Sequence, residues 1–327
     1  MTNTLPEGYQ VRPPVEADLE SMHVVTEAYL LACYGESDFT LDDMRLSWSS
    51  PTFDPAEQGR LVFDSTGRLV VTAHFWQQAY MNYNIGLDVL PGHEDARIRA
   101  YLLSQGETWA RQQMVQAPAE ARIYLQCWIA GKDEEANRWY REQPDFAEVR
   151  RSWEMQIEMK EAPPAPVWPE GVTLRPFVPE RDAQAVFEAD NEFFRDHWGY
   201  LPMDYDRWRH WSVDRPDFDP SLWVIAYAGE QIVGVALPKD GEKGWINDVA
   251  VARAWRGKGL GLAMLYQAFG EFYRRGRYKV GLGVDAQSLT GATRLYERAG
   301  MHIAQEDIIY EKELRAGIDM STQALEV

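Results

Sequence analysis

The 327-residue chain carries 33 Lys and Arg against 51 Asp and Glu, a net charge of −18, and 45% of its residues are apolar. That length suits two ordinary domains with real cores, and the acidic balance argues against a nucleic-acid or anionic-membrane partner, both of which favour basic surfaces. No apolar run reaches the roughly 18 residues of a membrane span, no basic and apolar leader is visible, and Cys33 and Cys127 are too few for a disulfide framework, so a reducing, cytoplasmic setting is expected. Six scattered histidines, without His-Glu-x-x-His or Cys-x-x-Cys, predict no metal site.

In chain order, Gly8-Tyr-Gln-Val-Arg-Pro13 reads as a short opening strand followed by helices. Leu61-Val-Phe-Asp-Ser-Thr-Gly-Arg-Leu-Val-Val-Thr-Ala73 reads as a hairpin. Pro163-Pro-Ala-Pro-Val-Trp-Pro169 cannot be helical and favours an extended linker. The opening then returns as Gly171-Val-Thr-Leu-Arg-Pro176, and Leu222 to Leu237 reads as a second hairpin, turning at Gly229-Glu230. Trp245 to Val251 is an apolar strand, Leu262 to Tyr273 carries apolar residues at helical spacing, and Lys279 to Val284 is another strand.

Other pairs recur in the same order. Tyr34-Gly35 matches Trp198-Gly199, Pro51-Thr-Phe-Asp-Pro55 matches Pro216-Asp-Phe-Asp-Pro220, and Ala136-Asn-Arg-Trp-Tyr140 matches Ala292-Thr-Arg-Leu-Tyr296. A repeat this long means tandem domains rather than a solenoid. The expected division is 1–162, a linker at 163–170, a second copy at 171–315 and a tail at 316–327. Each copy is expected to be α/β (α+β), with a mixed, mostly antiparallel sheet flanked by helices.

The second copy carries Arg256-Gly-Lys-Gly-Leu-Gly261 between strand and helix. A helix that opens on glycines offers free N–H groups, close backbone approach and a positive dipole end, which together make an anion cradle suited to pyrophosphate. The spacing does not match Gly-x-Gly-x-x-Gly, because Leu262 stands at the third glycine, nor a Walker loop, because Ala252 stands at its first glycine. In the first copy, Glu94, Asp95, Arg97 and Arg99 stand opposite Arg256, Gly257, Gly259 and Gly261. Side chains and two carboxylates there oppose a phosphate, so the first copy is read as degenerate.

Downstream, Ser288-Leu-Thr-Gly-Ala-Thr-Arg-Leu-Tyr-Glu-Arg-Ala-Gly-Met301 completes a pattern. Together with Val249-Ala-Val251 and the glycine loop it resembles the GCN5-related N-acetyltransferases, with Ser288 at the family's Asn and Met301 at its Phe. The resemblance implies two tandem acyl-coenzyme A N-acyltransferase folds and one acetyl-coenzyme A per chain, held by the second copy. Arg256, Gly257, Lys258, Gly259, Leu260 and Gly261 would then hold the pyrophosphate, Val249 and Val251 would pair with the pantetheine arm, and Ser288 would contact the coenzyme. Tyr296 would be the acid that protonates the leaving thiolate; a core tyrosine is the plainer reading. Asp248 or a water is expected as base, with Asp285 a second possibility, and each acid is equally open to a solvated or capping role. Strand alternation lets only one of Asn247 and Asp248 face the cleft.

Asn191-Glu-Phe-Phe-Arg-Asp-His-Trp-Gly199 and the tandem layout resemble the mycothiol synthase type within that family. On that likeness His197 and Trp198 are substrate residues, with a helix-seam role as the alternative. The activity expected is transfer of an acetyl group to a primary amine of a small molecule by direct attack in a ternary complex. The alternatives are a coenzyme A-binding sensor without turnover and an acyltransferase for a protein or peptide amine. The chain is expected to act as a monomer or homodimer.

Overall fold

A computed structural model describes residues 4–324. Residues 1–3, where the sequence shows no leader pattern, and the last three of the expected tail lie outside the described residues.

The chain begins with β1 (Gln10–Arg12), α1 (Leu19–Tyr34), α2 (Leu41–Trp48), α3 (Pro55–Gln58), β2 (Gly59–Phe63), β3 (Leu69–Gln78) and β4 (Asn82–Val89). It continues with α4 (Ala96–Gln113), β5 (Ile123–Ala130), α5 (Glu134–Glu142) and β6 (Ala147–Glu158). The second half holds β7 (Val172–Leu174), α6 (Pro179–Phe194), α7 (Tyr205–Ser212), β8 (Val224–Ala228), β9 (Gln231–Lys239) and β10 (Gly244–Val251). It ends with α8 (Leu260–Arg274), β11 (Lys279–Asp285), α9 (Ala292–Arg298) and β12 (His302–Arg315). Both expected hairpins form. The β8–β9 turn falls at Gly229, whose φ of 62° suits glycine, and Asp64 Oδ1 accepts the Thr66 and Arg68 amides at the β2–β3 turn.

Two compact units emerge, residues 1–150 with 307–320, and residues 151–306 with those from 321 onward. In the first, β1, β2, β3 and β4 pair antiparallel in sequence, β4 pairs parallel with β5, and β5 pairs antiparallel with Asp307–Arg315 of β12. The second repeats the scheme with β7, β8, β9 and β10, a parallel β10–β11 pair, and Ser152–Glu158 of β6 antiparallel to β11. Each unit is therefore completed by the strand that closes the other half of the sequence. The compact units do not follow the proline-rich stretch, because backbone pairing of β6 and β12 assigns those strands rather than their place along the chain. Residues 163–169 have no regular structure.

The second unit is built on α8. Leu260, Met264, Ala268 and Phe272, spaced at helical periods, are all at most 1% exposed and pack into a core with Val233, Val235 and Ile246. That packing fixes the N-terminal end of α8, which the site uses.

Candidate active site

β10 and β11 hydrogen-bond only at their beginnings, where Gly244 faces Val280 and Trp245 faces Gly281. A bulge follows on β10, since Ile246 faces Pro238 and Asp248 faces Leu237, leaving Asn247 as the extra residue. Beyond it the two strands part. Ala252 N–H donates to Val233 O at 3.0 Å, so strand alternation turns the backbone groups of Val249 and Val251 away from β9 and toward the opening. A cavity of about 480 Å³ lies there, lined by Val249, Val251, Gly257, Gly259, Leu260, Gly261 and Tyr296, among others. A second cavity, of about 260 Å³, is lined by Asn247, Val249, Leu282–Asp285, Ser288, Trp198, His197 and Tyr296, with Ser152 of β6.

Gly257 and Gly259 have φ of 73° and 87°, conformations costly for other residues, and Gly259 is the N-cap of α8 with no capping side chain. The first-turn amides of α8 have no intrahelical partner by geometry and line the larger cavity. At Gly261 a Cβ would stand 2.9 Å from Leu295 Cδ2, so any side chain there would have to displace the tip of Leu295 on α9. This cradle, with a strand edge that β11 leaves unpaired leading from it, fits a pyrophosphate and an extended amide-bearing arm.

The cationic side chains fall elsewhere than the sequence suggests. Arg256 lines the larger cavity, but its guanidinium donates to Val251 O (3.1 Å), Phe193 O (3.2 Å) and the carboxylate of Asp196. Lys258 holds its ammonium 4.9 Å from the Trp255 ring centroid and is not a lining residue. Ser288 lines the smaller cavity and lies 3.3 Å from the Ala292 amide at the start of α9. The larger cavity instead takes Arg294 and Arg298 of α9 along its wall. Their i, i+4 spacing around Tyr296 was a readable signal that they share a face.

Tyr296 and His197 line both cavities. Tyr296 is 6% exposed, and burial, then the nearby Asp248 carboxylate, pushes its phenol up, so it stays protonated at neutral pH. The His197 ring stacks on Phe194 with centroids 4.3 Å apart, and its Nδ1 lies 3.1 Å from Phe194 O. A carbonyl only accepts, so Nδ1 carries the proton; burial lowers the ring's pKa and keeps it neutral, leaving Nε2 as a lone-pair acceptor. Asp196, beside it, is 4% exposed and accepts from both Arg253 and Arg256, which hold its carboxyl below the usual range. Sequence reading gave no sign of this clamp between α6 and the glycine loop, because its partners lie some sixty residues apart.

Asp248 lines neither cavity. The bulge turns Asn247 into the smaller one, while the Asp248 carboxyl, desolvated and pushed up to about 6, lies in the field of Asp190. Asp190 is 8% exposed, and its own pKa is raised by burial and by Asp248. Two buried carboxyls this close disfavour double ionisation. Asp285 lines the smaller cavity and accepts the Gln287 amide at 3.0 Å.

Residues 183–301 match the model of the acetyltransferase (GNAT) family. A solved GCN5-related N-acetyltransferase from Sphaerobacter thermophilus is 37% identical and superposes with a TM-score of 0.82 over 98% of this chain and 100% of that one. The chain belongs to the GCN5-related N-acetyltransferase family. A tandem GNAT protein from the clavulanic acid biosynthesis pathway, 13% identical, shares the fold with a TM-score of 0.69 over 95% of this chain and 100% of that one. A mycothiol acetyltransferase of Thermobispora bispora is 32% identical over 50% of this chain. That match spans 58% of the relative's length, so the chain spans little more than half of it.

Both units carry the family fold, but their loops differ in chemistry. In the first unit Glu94 turns both carboxylate oxygens onto the Gly92 amide at 3.0 Å. Asp95 caps α4 by accepting the Arg97 amide at 2.8 Å and pairs with the Arg97 guanidinium. The amides that would greet a phosphate are met by the unit's own acids. Arg99 is 6% exposed and lies 5.9 Å from the Tyr140 ring.

Proposed function

We propose that the second unit transfers the acetyl group of acetyl-coenzyme A to a primary amine of a small molecule, with one coenzyme per chain and direct attack in a ternary complex. The observation that carries this reading is that His197 and Tyr296 stand on the wall common to both cavities. The larger cavity suits the coenzyme and the smaller the amine, so the reacting atoms would meet between these two side chains.

Acetyl-coenzyme A, when bound, supplies the activated thioester. The α8 amides, helped by Arg294 and Arg298, hold the phosphates. The edge of β10 at Val249 and Val251 holds the arm, and the Val249 amide is the donor available for the acyl oxygen. An alkyl amine with pKa near 10.4 arrives mostly as ammonium. His197 Nε2 takes its proton. The amine nitrogen bonds to the acyl carbon as the carbon–sulfur bond breaks, Tyr296 gives its phenolic proton to the departing sulfur, and the proton that the new amide nitrogen sheds returns to the Tyr296 oxygen. His197 replaces Asp248 as the base in this reading, because it lines both cavities and Asp248 lines neither. The small volume of the second cavity and its Asp285 carboxylate favour a compact cationic amine over a protein chain. The relative named mycothiol acetyltransferase fits a small-molecule acceptor.

Free thiol released from acetyl-coenzyme A across a panel of small amines tests the activity. Tyr296→Phe is expected to lower kcat by about tenfold or more, the scale of general acid catalysis, with coenzyme affinity near wild type. Tight coenzyme binding without amine-dependent thiol release would mark a sensor instead.

A further inference from the structure

The segment Arg195–Tyr200, between α6 and α7, carries two of the aromatic residues that line the smaller cavity, His197 and Trp198. Asp196 ties its inner side to the glycine loop through Arg253 and Arg256. Its outer side is held by residues at the far end of the chain. From Asp307 to Met320 the chain belongs to the first unit; from Ser321 it belongs to the second. There Gly199 N–H donates to Thr322 O at 2.8 Å, and Thr322 N–H donates to Tyr200 O at 3.3 Å. The Thr322 hydroxyl donates to Arg195 O at 2.8 Å. The Trp198 indole N–H donates to Gln323 Oε1 at 2.9 Å, and Gln323 Nε2 donates to Ser321 Oγ at 2.8 Å. Ser321 is 8% exposed.

These contacts divide into two tasks. Thr322 binds backbone on both sides of Trp198, at Arg195, Gly199 and Tyr200, and so holds the segment's path. Gln323 binds the indole itself. An indole nitrogen only donates, and its bond to Gln323 Oε1 helps set where the ring edge points. Trp198 and Gln323 lie 125 positions apart in the sequence.

We propose that Ser321–Gln323 form part of the amine site, with Thr322 pinning its roof and Gln323 positioning the Trp198 ring over the acceptor. The inference rests on the reading that the smaller cavity takes the amine. Gln323 is not among the residues lining that cavity, so it acts through Trp198 as a positioning residue.

The test uses the full chain with Gln323→Ala, Gln323→Glu and Trp198→Phe, and a chain ending at Met320. Gln323→Ala and Trp198→Phe, which each delete the same bond, are expected to raise the amine KM by about three- to tenfold. The double variant should be no worse than the worse single one. Acetyl-coenzyme A affinity should stay within about twofold, and Gln323→Glu, which keeps an acceptor, should restore most of the loss. In the shortened chain, hydrogen exchange at the Gly199 amide should quicken by about tenfold or more while the α8 amides keep their protection. An unchanged amine KM in Gln323→Ala, or additive losses in the double variant, would overturn the positioning role. If the wild-type chain acetylates no amine, the assignment of the cavity fails instead, and the exchange at Gly199 alone decides the pinning: an unchanged rate removes it.

Discussion

At the scale of single residues, three titratable side chains do different work because burial acts on them differently. Burial lowers the His197 imidazole and raises the Tyr296 phenol, so both side chains are neutral near pH 7 on the wall that the two cavities share. A kcat/KM profile should therefore show an acid limb inflecting below about 6.5, the ordinary histidine value. His197→Gln should remove that limb and cost about 10²-fold or more in kcat/KM; a limb that survives unchanged would return the role to a water or to Asp248. Asp248 has a different consequence. Its folded pKa of about 6 lies above the ordinary carboxylate value near 3.9, so the folded state binds more protons between those values. Stability is full below about pH 4 and falls as pH rises through 6. Asp248→Asn should raise the melting temperature at pH 7.5, by a free energy of roughly 1–3 kcal/mol, with the gain fading toward pH 4. A variant less stable than wild type at pH 7.5 would contradict this account.

At the scale of elements, the two strand–loop–helix segments start the equivalent helix in different ways. In the second unit α8 begins on Gly259 with no capping side chain; in the first, α4 begins on Asp95, which caps it. A carboxylate cap stabilises the helix start by about 1 kcal/mol and uses the amides a phosphate would need. Calorimetry with acetyl-coenzyme A should give one site per chain. Gly259→Asp, which adds strain at φ 87° and a like charge, should weaken binding by about tenfold or more, whereas Gly92→Asp should leave it unchanged. Two sites in the wild-type chain would contradict the loss of the first loop. The glycine pattern was legible from sequence because spacing and backbone freedom are local properties. The fate of Arg256 was not, since Asp196 and the Phe193 carbonyl reach it only through the packing of α6.

At the scale of the whole chain, each unit takes its last strand from beyond the expected boundary. In the first unit β12 is secured by Arg122, which bonds Glu311 at 2.6 Å and Glu313 at 2.9 Å, and by the Tyr140–Tyr310 stack at 5.0 Å. In the second, Ser152–Glu158 cover the edge of β11 and Ser152 reaches the smaller cavity. A chain starting at Gly171 would bare that edge and lose that wall. It should aggregate or lose amine turnover. A soluble, fully active chain starting at Gly171 would show that β6 is dispensable.

The sequence by itself determined the family, the duplicated fold, the hairpins and the position of the glycine loop. Those rest on periodicity, on prolines and glycines with local backbone consequences, and on charges that sit within a few residues of each other. Only the tertiary structure decided that His197 and not Asp248 lines the two cavities, where Arg256 spends its donors and which strands complete each unit. One bulge at Asn247 exchanges the faces of two adjacent residues, and a strand joins whichever edge satisfies its backbone, so neither outcome follows from position along the chain.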